Sequence, residues 1–284
     1  MTDKIKELNN LINDADAVVV GAGSGMSNAA GMNIWYENNE LIEKNLKYFT
    51  NKYGFKGIFN GFYNQFDSLE EKWAFNVIAW NIILNIMPPK TTYDNLKELI
   101  KDKPYHIITT NQDTLFKKYF LEKEVSEIQG SWDYMQSSNP QLDKNLYLGR
   151  PIIEEALTHL KDHKLPSEFI PKSKIDGSLL QVWVRDPKFL EDKKYHEEYQ
   201  KFNDFMKNHQ KGEKILFLEL GVGRMTPMFI QEPFWALTKY MKQAHYVNIN
   251  PEHALTTPEI EERSLLIPED IDQVLQQAVA QKRG

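Results

Sequence analysis

Residues 17–32 read Ala-Val-Val-Val-Gly-Ala-Gly-Ser-Gly-Met-Ser-Asn-Ala-Ala-Gly-Met, and the rest of the chain is organised around this stretch. The first four residues are small or β-branched and apolar, which predicts a strand buried on both faces. Glycines at positions 21, 23 and 25 allow a tight turn and the close approach of a bulky, charged group. The small residues that follow predict a helix start that offers N–H groups to a phosphate. A strand, a glycine loop and a helix in this order are typical of a dinucleotide site.

The glycine loop by itself leaves two interpretations open. The strict G-x-G-x-x-G spacing is absent, because Met26 stands where the third glycine would be. A glycine-rich turn after a strand is therefore also compatible with a purely structural turn. The other strand ends of the chain have to decide between the two.

Composition excludes several classes of function. The 284 residues carry a formal net charge of -6, which argues against a broad nucleic-acid or anionic-membrane surface. The chain has no cysteine, so disulfides, thiolate metal sites and cysteine nucleophiles are excluded. The sequence starts without an apolar signal region, and no run approaches membrane-spanning length. We therefore expect a cytoplasmic protein that spans no membrane and binds no nucleic acid.

Several further apolar runs each end in a polar or glycine-rich cluster, with helical patterns between them. These runs predict a parallel α/β sheet, and ligands of such sheets bind at the carboxyl ends of the strands. The runs are 106–110 before Asn111-Gln112-Asp113, 127–132, 179–184 before Arg185-Asp186, 215–220 before Gly221-Val222-Gly223-Arg224, and 244–248 before Asn250-Pro251.

Two segments interrupt this alternation. Residues 38–87 are helical in pattern and rich in aromatic residues, which we expect to form a core. Residues 133–178 have poor periodicity and several prolines, which predicts a second module with loops. The predicted fold class is α/β: a Rossmann-like parallel sheet with a smaller inserted domain made of a helical module and a zinc-free module. The predicted nucleotide-binding domain is 1–36, 90–132 and 179–284, and the inserted domain is 37–89 and 133–178.

The order and chemistry of these strand ends resemble the sirtuin family over nearly the whole chain. The loop containing Ser27 resembles the family's opening motif, and residues 109–113 resemble its Thr-Gln-Asn-Ile-Asp motif. The other matches are Gln129-Gly130 for His-Gly, residues 179–185 for the strand that pairs with acyl-lysine peptide, Gly221-Val222-Gly223 for Gly-Thr-Ser, and Asn248-Ile249-Asn250 for the ribose-binding asparagine. The resemblance implies a sirtuin-like NAD-binding domain.

The departures from the family pattern point to one branch of it. Sirtuin deacylases carry a histidine that takes a proton from the NAD ribose, whereas Gln129 has no accessible pKa and cannot act as a general base. The family's zinc module needs four cysteines, and its Pro-Asp-Phe-Arg motif is replaced here by Asn33-Ile34-Trp35-Tyr36. This pattern resembles the class M sirtuins of pathogenic microbes. That class is macrodomain-linked and is associated with mono-ADP-ribosylation of a lipoyl-carrier protein resembling glycine cleavage protein H.

The resemblance assigns roles to individual residues. Asp113 accepts from the nicotinamide carboxamide, Asn111 holds the ribose hydroxyls or the nucleophile, and Gln129 binds a ribose hydroxyl without taking its proton. Arg185 orients an acidic acceptor, acts as an acceptor itself, or forms a surface ion pair with Asp186 or Glu219. The catalytic candidates are therefore Asn111, Gln129 and Arg185. The NAD-binding candidates are Gly21, Ala22, Gly23, Ser24, Met26, Ser27, Trp35, Tyr36, Asn111, Asp113, Gln129, Gly221, Val222, Gly223, Arg224, Asn248, Asn250 and Ile271.

Trp35 and Tyr36 either cover a ligand ring or pack the loop, and both interpretations stay open. No metal is expected, because His159 and His163, four positions apart on a predicted helix, have no evident third ligand. The predicted function is an NAD-dependent protein mono-ADP-ribosyltransferase that acts on a lipoylated carrier, with a macrodomain hydrolase as functional partner. The alternatives are a protein-lysine deacylase and a non-catalytic NAD or ADP-ribose binding module.

Overall fold

The computed structural model of the chain describes residues 2–209 and 212–283. Its strands are β1 (Ala17–Ala22), β2 (Tyr105–Thr109), β3 (Val125–Glu127), β4 (Gly130–Ser137), β5 (Leu146–Leu148), β6 (Leu180–Val184), β7 (Ile215–Leu220), β8 (His245–Ile249) and β9 (Ser264–Ile267). Its helices are α1 (Thr2–Asp14), α2 (Ser24–Ala29), α3 (Glu40–Tyr53), α4 (Gly57–Phe62), α5 (Leu69–Asn85), α6 (Thr92–Ile100), α7 (Leu115–Tyr119), α8 (Gly149–Thr158), α9 (Lys193–Asn208), α10 (Gln231–Tyr240) and α11 (Ile271–Arg283). None of these described helices combines the length and the apolar character needed to cross a membrane.

The first of two compact units comprises Met1–Gly31, Pro88–Gln129 and Lys193–Gly284. Its centre is a sheet with strand order β3-β2-β1-β7-β8-β9, in which neighbouring strands are parallel. Every residue of β1 and of β7 is buried, as expected for central strands covered on both faces. The predicted Rossmann-like parallel α/β sheet is therefore confirmed, and the apolar run at 17–20 forms one of its two central strands.

Helices of the first unit bury the apolar stripes that their periodicity predicts. Ile5, Leu8 and Ile12 of α1 are buried, and α1 packs against α11. The buried face of α11 consists of Ile271, Asp272, Val274, Leu275, Ala278 and Val279. These two helices and α6 stack on one another, so the two ends of the chain are fixed to the same unit.

The second unit comprises Met32–Met87 and Gly130–Asp192. The strand predicted at 179–184 is present as β6, but it belongs to this unit and not to the parallel sheet, which differs from the predicted division at residue 179. The reason is strand pairing: β6 pairs antiparallel with β4 in a sheet of order β5-β4-β6. Residues 130–137, which include the start of the segment predicted to be loop-rich, form the central strand of this sheet.

The aromatic residues predicted to be core form the centre of the second unit. Phe75 of α5 is fully buried and has ring contacts with Phe49, Phe55, Phe62 and Phe66 at centroid distances of 5.4–5.8 Å. Most of these ring pairs are edge-to-face, the arrangement that aromatic quadrupoles favour. The helical prediction for 38–87 is confirmed by α3, α4 and α5.

The His159–His163 pair does not lie on one helix face, so this sequence interpretation was wrong. Helix α8 ends at Thr158, and His163 has a left-handed φ of 61°. His159 stacks on Phe169 with a centroid distance of 3.6 Å, and His163 stacks on Tyr48 at 3.7 Å. Both imidazoles therefore act as packing groups for the loop after α8.

A buried carboxylate organises the loop-rich part of the second unit. Asp143 is fully buried and accepts hydrogen bonds from Tyr147 Oη at 2.6 Å and Ser173 Oγ at 2.7 Å. It also accepts from the backbone N–H and the side-chain Nδ2 of Asn145 at 2.9 and 2.8 Å. Burial raises the pKa of Asp143, but these hydrogen bonds outweigh burial and leave that pKa below its ordinary value. A charged residue thus connects segments 30 positions apart in the sequence.

We predict that Asp143→Ala destabilises the protein by about 2–4 kcal/mol, because it leaves the buried Ser173 hydroxyl and the half-buried Tyr147 hydroxyl without their acceptor. Asp186→Ala removes an exposed carboxylate of the same unit and is expected to cost less than about 1 kcal/mol. Chemical unfolding of both variants measures the difference. Equal losses in the two variants would contradict this role of Asp143.

A metal chelator is expected to leave the denaturation midpoint of the wild-type protein unchanged, because no metal is expected in the fold. A midpoint that falls when chelator is added would contradict that expectation.

Candidate functional site

The candidate site is the edge of the parallel sheet where the strands of the first unit end. Ala22 of β1 is in register with Thr109 of β2 and Leu220 of β7, and Leu220 is in register with Ile249 of β8. Because the strands run in the same direction, the segments that follow them meet at one edge. The predicted residues that the structure places in this unit are Gly21, Ala22, Gly23, Ser24, Met26, Ser27, Asn111, Asp113, Gln129, Gly221, Val222, Gly223, Arg224, Asn248, Asn250 and Ile271.

The glycines of the first loop are required by packing against protein atoms. A Cβ at Gly21 would lie 2.4 Å from Ile230 Cγ2. A Cβ at Gly23 would lie 2.7 Å from the Gly221 carbonyl oxygen, and one at Gly25 would lie 2.7 Å from Gly221 Cα. A real Cβ does not fit at such distances, so the loops after β1 and β7 need glycine in order to touch.

Hydrogen bonds fasten these two loops together. Gly23 N–H donates to Leu220 O at 3.1 Å, and Gly25 N–H donates to Gly221 O at 3.0 Å. These two N–H groups are therefore used within the protein. Helix α2, which begins at Ser24, has only six residues and a correspondingly small macrodipole.

In the loop after β7, Gly221 is tightly packed, whereas Gly223 borders open space. Gly221 has a φ of 61°, a conformation that favours glycine, and Ile271 Cδ1 would lie 2.9 Å from a Cβ at this position. Asn250 Nδ2 donates to Val222 O at 3.1 Å and so supports the loop from β8. A Cβ at Gly223 would meet no atom within 4 Å in the described structure. The backbone at Gly223 can therefore be approached closely by a ligand.

Asn111 and Asp113 converge on the hydroxyl group of Ser27. Ser27 Oγ donates to Asp113 Oδ2 at 2.6 Å and accepts from Asn111 Nδ2 at 3.0 Å. The Tyr93 hydroxyl lies 3.2 Å from the same oxygen. All four side chains are buried, and we call them the Ser27 cluster. The cluster joins helix α2 to the loop after β2 through side-chain hydrogen bonds.

The Ser27 cluster contains a carboxyl group with an altered proton affinity. Burial raises the pKa of Asp113, and the hydrogen bonds from Ser27 and from the Leu115 N–H oppose that rise. Thr114, between them, has a left-handed φ of 64°, which is uncommon for a β-branched residue. This local strain turns the chain so that the Leu115 N–H reaches Asp113 at 3.1 Å. Strained backbone of this kind is concentrated at functional sites.

Gln129 lies two residues after the end of β3, and its side chain is buried. Its backbone carbonyl accepts from Gln112 Nε2 at 3.0 Å, so it is tied to the residue between Asn111 and Asp113. Its own Nε2 donates to Ile128 O at 3.2 Å. The structure therefore links Gln129 to the same loop as the Ser27 cluster, with a neutral amide in place of a titratable group.

Trp35, Tyr36 and Arg185 belong to the second unit. The Arg185 guanidinium forms an ion pair with Glu191 and lies 4.4 Å from the Phe189 ring centroid. The Trp35 ring lies 6.3 Å from that of Trp132. Tyr36 keeps 64% of its surface exposed, although its ring contacts Phe59. Trp35 thus has a packing partner, whereas Tyr36 exposes most of its ring.

A second buried polar network at this edge was missed by the sequence analysis. Glu219 of β7 is fully buried and accepts from Tyr246 Oη at 2.6 Å and Gln231 Nε2 at 2.9 Å. Burial raises the pKa of Glu219 to about 7, against the lowering effect of these two hydrogen bonds. The available signal was an acidic residue inside the otherwise apolar run 215–220.

The sequence is similar to two proteins whose names include ADP-ribosyltransferase. The chain is 31% identical, over 287 aligned positions, to a protein of Staphylococcus aureus named Protein ADP-ribosyltransferase, covering 98% of this chain and 89% of that protein. It is 28% identical over 231 positions to a Fusarium oxysporum protein named Probable bifunctional ADP-ribose hydrolase/ADP-ribosyltransferase. That match covers 78% of this chain and 38% of the longer fungal protein. No family model matches the chain.

Solved structures resemble the chain over its full length. A structure of Sir2 bound to acetylated peptide matches with a TM-score of 0.61 and 16% identity, covering 98% of both chains. At this identity the likeness concerns the fold, and it confirms the sirtuin fold implied by the motifs.

The raised pKa of Glu219 predicts a specific pH dependence of stability. Its pKa is 4.5 when unperturbed and about 7 in the folded protein, so only the folded state keeps this proton between those values. The contribution of Glu219 to the free energy of unfolding therefore falls as pH rises through that window, by roughly 3 kcal/mol at most. Unfolding of wild type and Glu219→Gln across the window measures it, since the variant lacks this component. A constant difference between the two proteins would show that Glu219 has an ordinary pKa.

Proposed function

The chain belongs to the protein ADP-ribosyltransferases and has the sirtuin fold, and we propose that it transfers ADP-ribose from NAD to a lipoylated carrier protein. In the proposed reaction nicotinamide leaves, and the acceptor resembles glycine cleavage protein H. NAD supplies an electrophilic ribose carbon when its bond to nicotinamide breaks and neutral nicotinamide leaves with the bonding electrons. The acceptor's nucleophile bonds to that carbon and releases its proton to water. NAD-dependent ADP-ribosyl transfer is the activity of the enzyme, and the carrier is the proposed part.

The observation that carries the proposal is Gln129, a buried amide linked to the loop of Asn111 and Asp113. Deacylation of the sirtuin type requires a base that deprotonates a ribose hydroxyl, and an amide has no pKa in the accessible range. Transfer to a protein nucleophile does not require deprotonation of a ribose hydroxyl, so the ribose itself has only to be held in position. An amide can donate to and accept from a hydroxyl without changing charge, which supports transfer over deacylation.

The residues of the first unit fit NAD on two observations. Asn248 Oδ1 is buried and has no hydrogen-bond partner in the described part of the chain, which suits an acceptor for a ribose hydroxyl. The backbone at Gly223 borders open space, which suits a pyrophosphate group, and Arg224 follows it with a positive charge. The glycine loop at 21–24, with Met26, completes the wall of the proposed dinucleotide site. Asn250 donates to Val222 O and Ile271 lies next to Gly221, so both residues support the loop after β7.

We assign the nicotinamide end of the site to the Ser27 cluster. Asp113 presents a carboxyl group that can accept from a carboxamide NH2, and its burial strengthens any such hydrogen bond. Asn111 is fixed from both sides, because its N–H donates to Thr109 Oγ1 at 3.0 Å and its Nδ2 donates to Ser27. A fixed amide beside a developing positive charge on the ribose stabilises the transition state without reorganisation.

In the second unit, Trp35 and Tyr36 are proposed to contact the ligand, and Arg185 is proposed to orient the acceptor. The exposed ring of Tyr36 supports the first assignment. The Fusarium relative is named for both an ADP-ribose hydrolase and an ADP-ribosyltransferase activity. That name supports a functional partnership between this transferase and a macrodomain hydrolase that removes the modification.

The proposed acceptor is tested with labelled NAD and a purified carrier protein in its lipoylated form. The matched control is the same carrier before lipoylation. We expect mass spectrometry to find one ADP-ribosyl group on the lipoylated carrier and little on the control. Equal labelling of both forms would exclude the lipoyl group as a determinant, and labelling of neither would contradict this class of acceptor.

We predict that Asn111→Ala lowers transfer turnover by about two orders of magnitude or more, the loss expected when an oriented contact to a transition state is removed. NAD affinity is expected to change less, because the loop at 221–224 is untouched. Asn28→Ala, which truncates an exposed asparagine next to Ser27, is the matched control and keeps wild-type turnover. Wild-type turnover in Asn111→Ala would contradict the assignment of this strand end.

Gln129→Ala is expected to weaken transfer, and Gln129→His is expected to remain a poor deacylase.

A further inference from the structure

The network around Glu219 has a fixed direction of hydrogen bonding. Glu219 is in register with Gly21 of β1, which offers no side chain, and with Asn248 of β8. Its carboxylate faces two donors, the Tyr246 hydroxyl from β8 and the Gln231 amide from α10. A carboxylate can only accept, so Tyr246 must donate its single proton to Glu219. The hydroxyl oxygen of Tyr246 is then an acceptor for any other neighbour.

That neighbour is Asn248. Its Nδ2 lies 3.1 Å from the Tyr246 hydroxyl oxygen, 3.2 Å from His253 O and 3.3 Å from Leu255 O. Backbone carbonyls only accept, so the amide nitrogen of Asn248 must face this side. Its Oδ1 therefore faces the other way, where it is buried without a partner in the described residues. The Glu219–Tyr246 bond is thus one of the contacts that leave Asn248 Oδ1 available as an acceptor.

The second neighbour of Glu219 leads to Arg224. Because Gln231 Nε2 donates to Glu219, the oxygen of the same amide must point away from the carboxylate. Gln231 Oε1 accepts from Arg224 Nη1 at 3.4 Å. The carboxylate therefore sets the polarity of an amide that holds a cation of the loop after β7. Glu219 acts on Arg224 only through Gln231, since Gln231 stands between them.

We propose that Glu219 is a positioning residue that fixes, through Tyr246 and Gln231, the polar atoms that Asn248 and Arg224 present to the ADP-ribose part of NAD. The inference rests on the proposed function, because that function makes the edge formed by Asn248 and Arg224 a dinucleotide site. Glu219 itself touches no ligand. Glu219 affects the affinity for the ADP-ribose group and not the chemistry at the nicotinamide end.

The negative charge is essential to this role. A protonated carboxyl group, or the amide of Glu219→Gln, would place a donor against Tyr246 or Gln231. Tyr246 would then turn its proton towards the Asn248 amide nitrogen, or Gln231 would turn its NH2 towards Arg224. Burial raises the pKa of Glu219 to about 7, so the network changes state close to neutral pH. No other titratable side chain than Tyr246 contacts the carboxylate in the hydrogen bonds described here.

The test measures binding of ADP-ribose to the full-length protein by isothermal titration calorimetry. Glu219→Gln is expected to lower the affinity for ADP-ribose by about tenfold or more. This is the range for the loss of a hydrogen bond to a charged group. The matched control is Glu198→Gln. Glu198 is an equally buried carboxylate on α9 that accepts from the Glu127 N–H at 2.9 Å and from Lys201 at 2.7 Å. It lies against β3 at the sheet margin, and its variant is expected to bind ADP-ribose as wild type does.

A pH series separates positioning from a merely structural effect. Wild-type affinity is expected to fall as pH drops below about 7, because protonation reverses the network, whereas Glu219→Gln is expected to show no such step. Tyr246→Phe removes only the bridging hydroxyl and is expected to weaken binding by about threefold to tenfold. If Glu219→Gln does not fold, judged by near-ultraviolet circular dichroism, Tyr246→Phe and the wild-type pH series carry the test.

The outcomes distinguish this inference from the proposed function. Wild-type protein that binds ADP-ribose, with equal affinity in Glu219→Gln and no step near pH 7, overturns the role of Glu219 and leaves the function intact. Wild-type protein that does not bind ADP-ribose overturns both. An equal loss in Glu198→Gln shows a general effect of removing buried charge and also overturns the positioning role. A loss confined to Glu219→Gln and Tyr246→Phe supports it.

Discussion

The structure of the site depends on the direct backbone contact between the loops that follow β1 and β7. Gly23 and Gly25 lie so close to the backbone of Gly221 and Val222 that a Cβ at Gly23, Gly25 or Gly221 would overlap the facing loop. Two hydrogen bonds fix this contact, and Asn250 fixes the second loop from β8. Two buried polar networks lie beside this contact: the Glu219 network joins β7 to β8 and α10, and the Ser27 cluster joins α2 to the loop after β2.

These two networks give the same edge of the sheet two buried carboxyl groups with different surroundings. Asp113 accepts from a hydroxyl and a backbone N–H, beside the amide of Asn111. Glu219 accepts from two side chains whose orientation it controls. Gln129, by contrast, adds no charge near these groups. A site of this kind can orient a ribose and a carboxamide by hydrogen bonds, and at position 129 it has an amide and not an imidazole that could remove a ribose proton, which agrees with group transfer.

Much of the fold could be predicted from the sequence because buried parallel strands are local apolar runs, and the runs at 17–20 and 215–220 became central strands. The convergence of Ser27, Asn111 and Asp113 could also be expected, since each follows such a strand. The pairing of β6 with β4 could not be read from residues 179–184, because a short strand does not specify its partner. The packing of the loop after β7 on the glycines of the loop after β1 could not be predicted, since local sequence does not show which second loop touches them. Glu219 was overlooked because its donors are 12 and 27 positions away.

The central claim is that the enzyme uses NAD for transfer to a protein and not for deacylation. The most direct measurement is the initial rate of nicotinamide release from NAD by the wild-type protein, with an acyl-lysine peptide in one reaction and the carrier protein in a parallel one. The account predicts that release depends on the carrier and that each nicotinamide is matched by one ADP-ribosyl group on protein. Release that depends on the acyl-lysine peptide, matched by acylated ADP-ribose and free lysine, would contradict it.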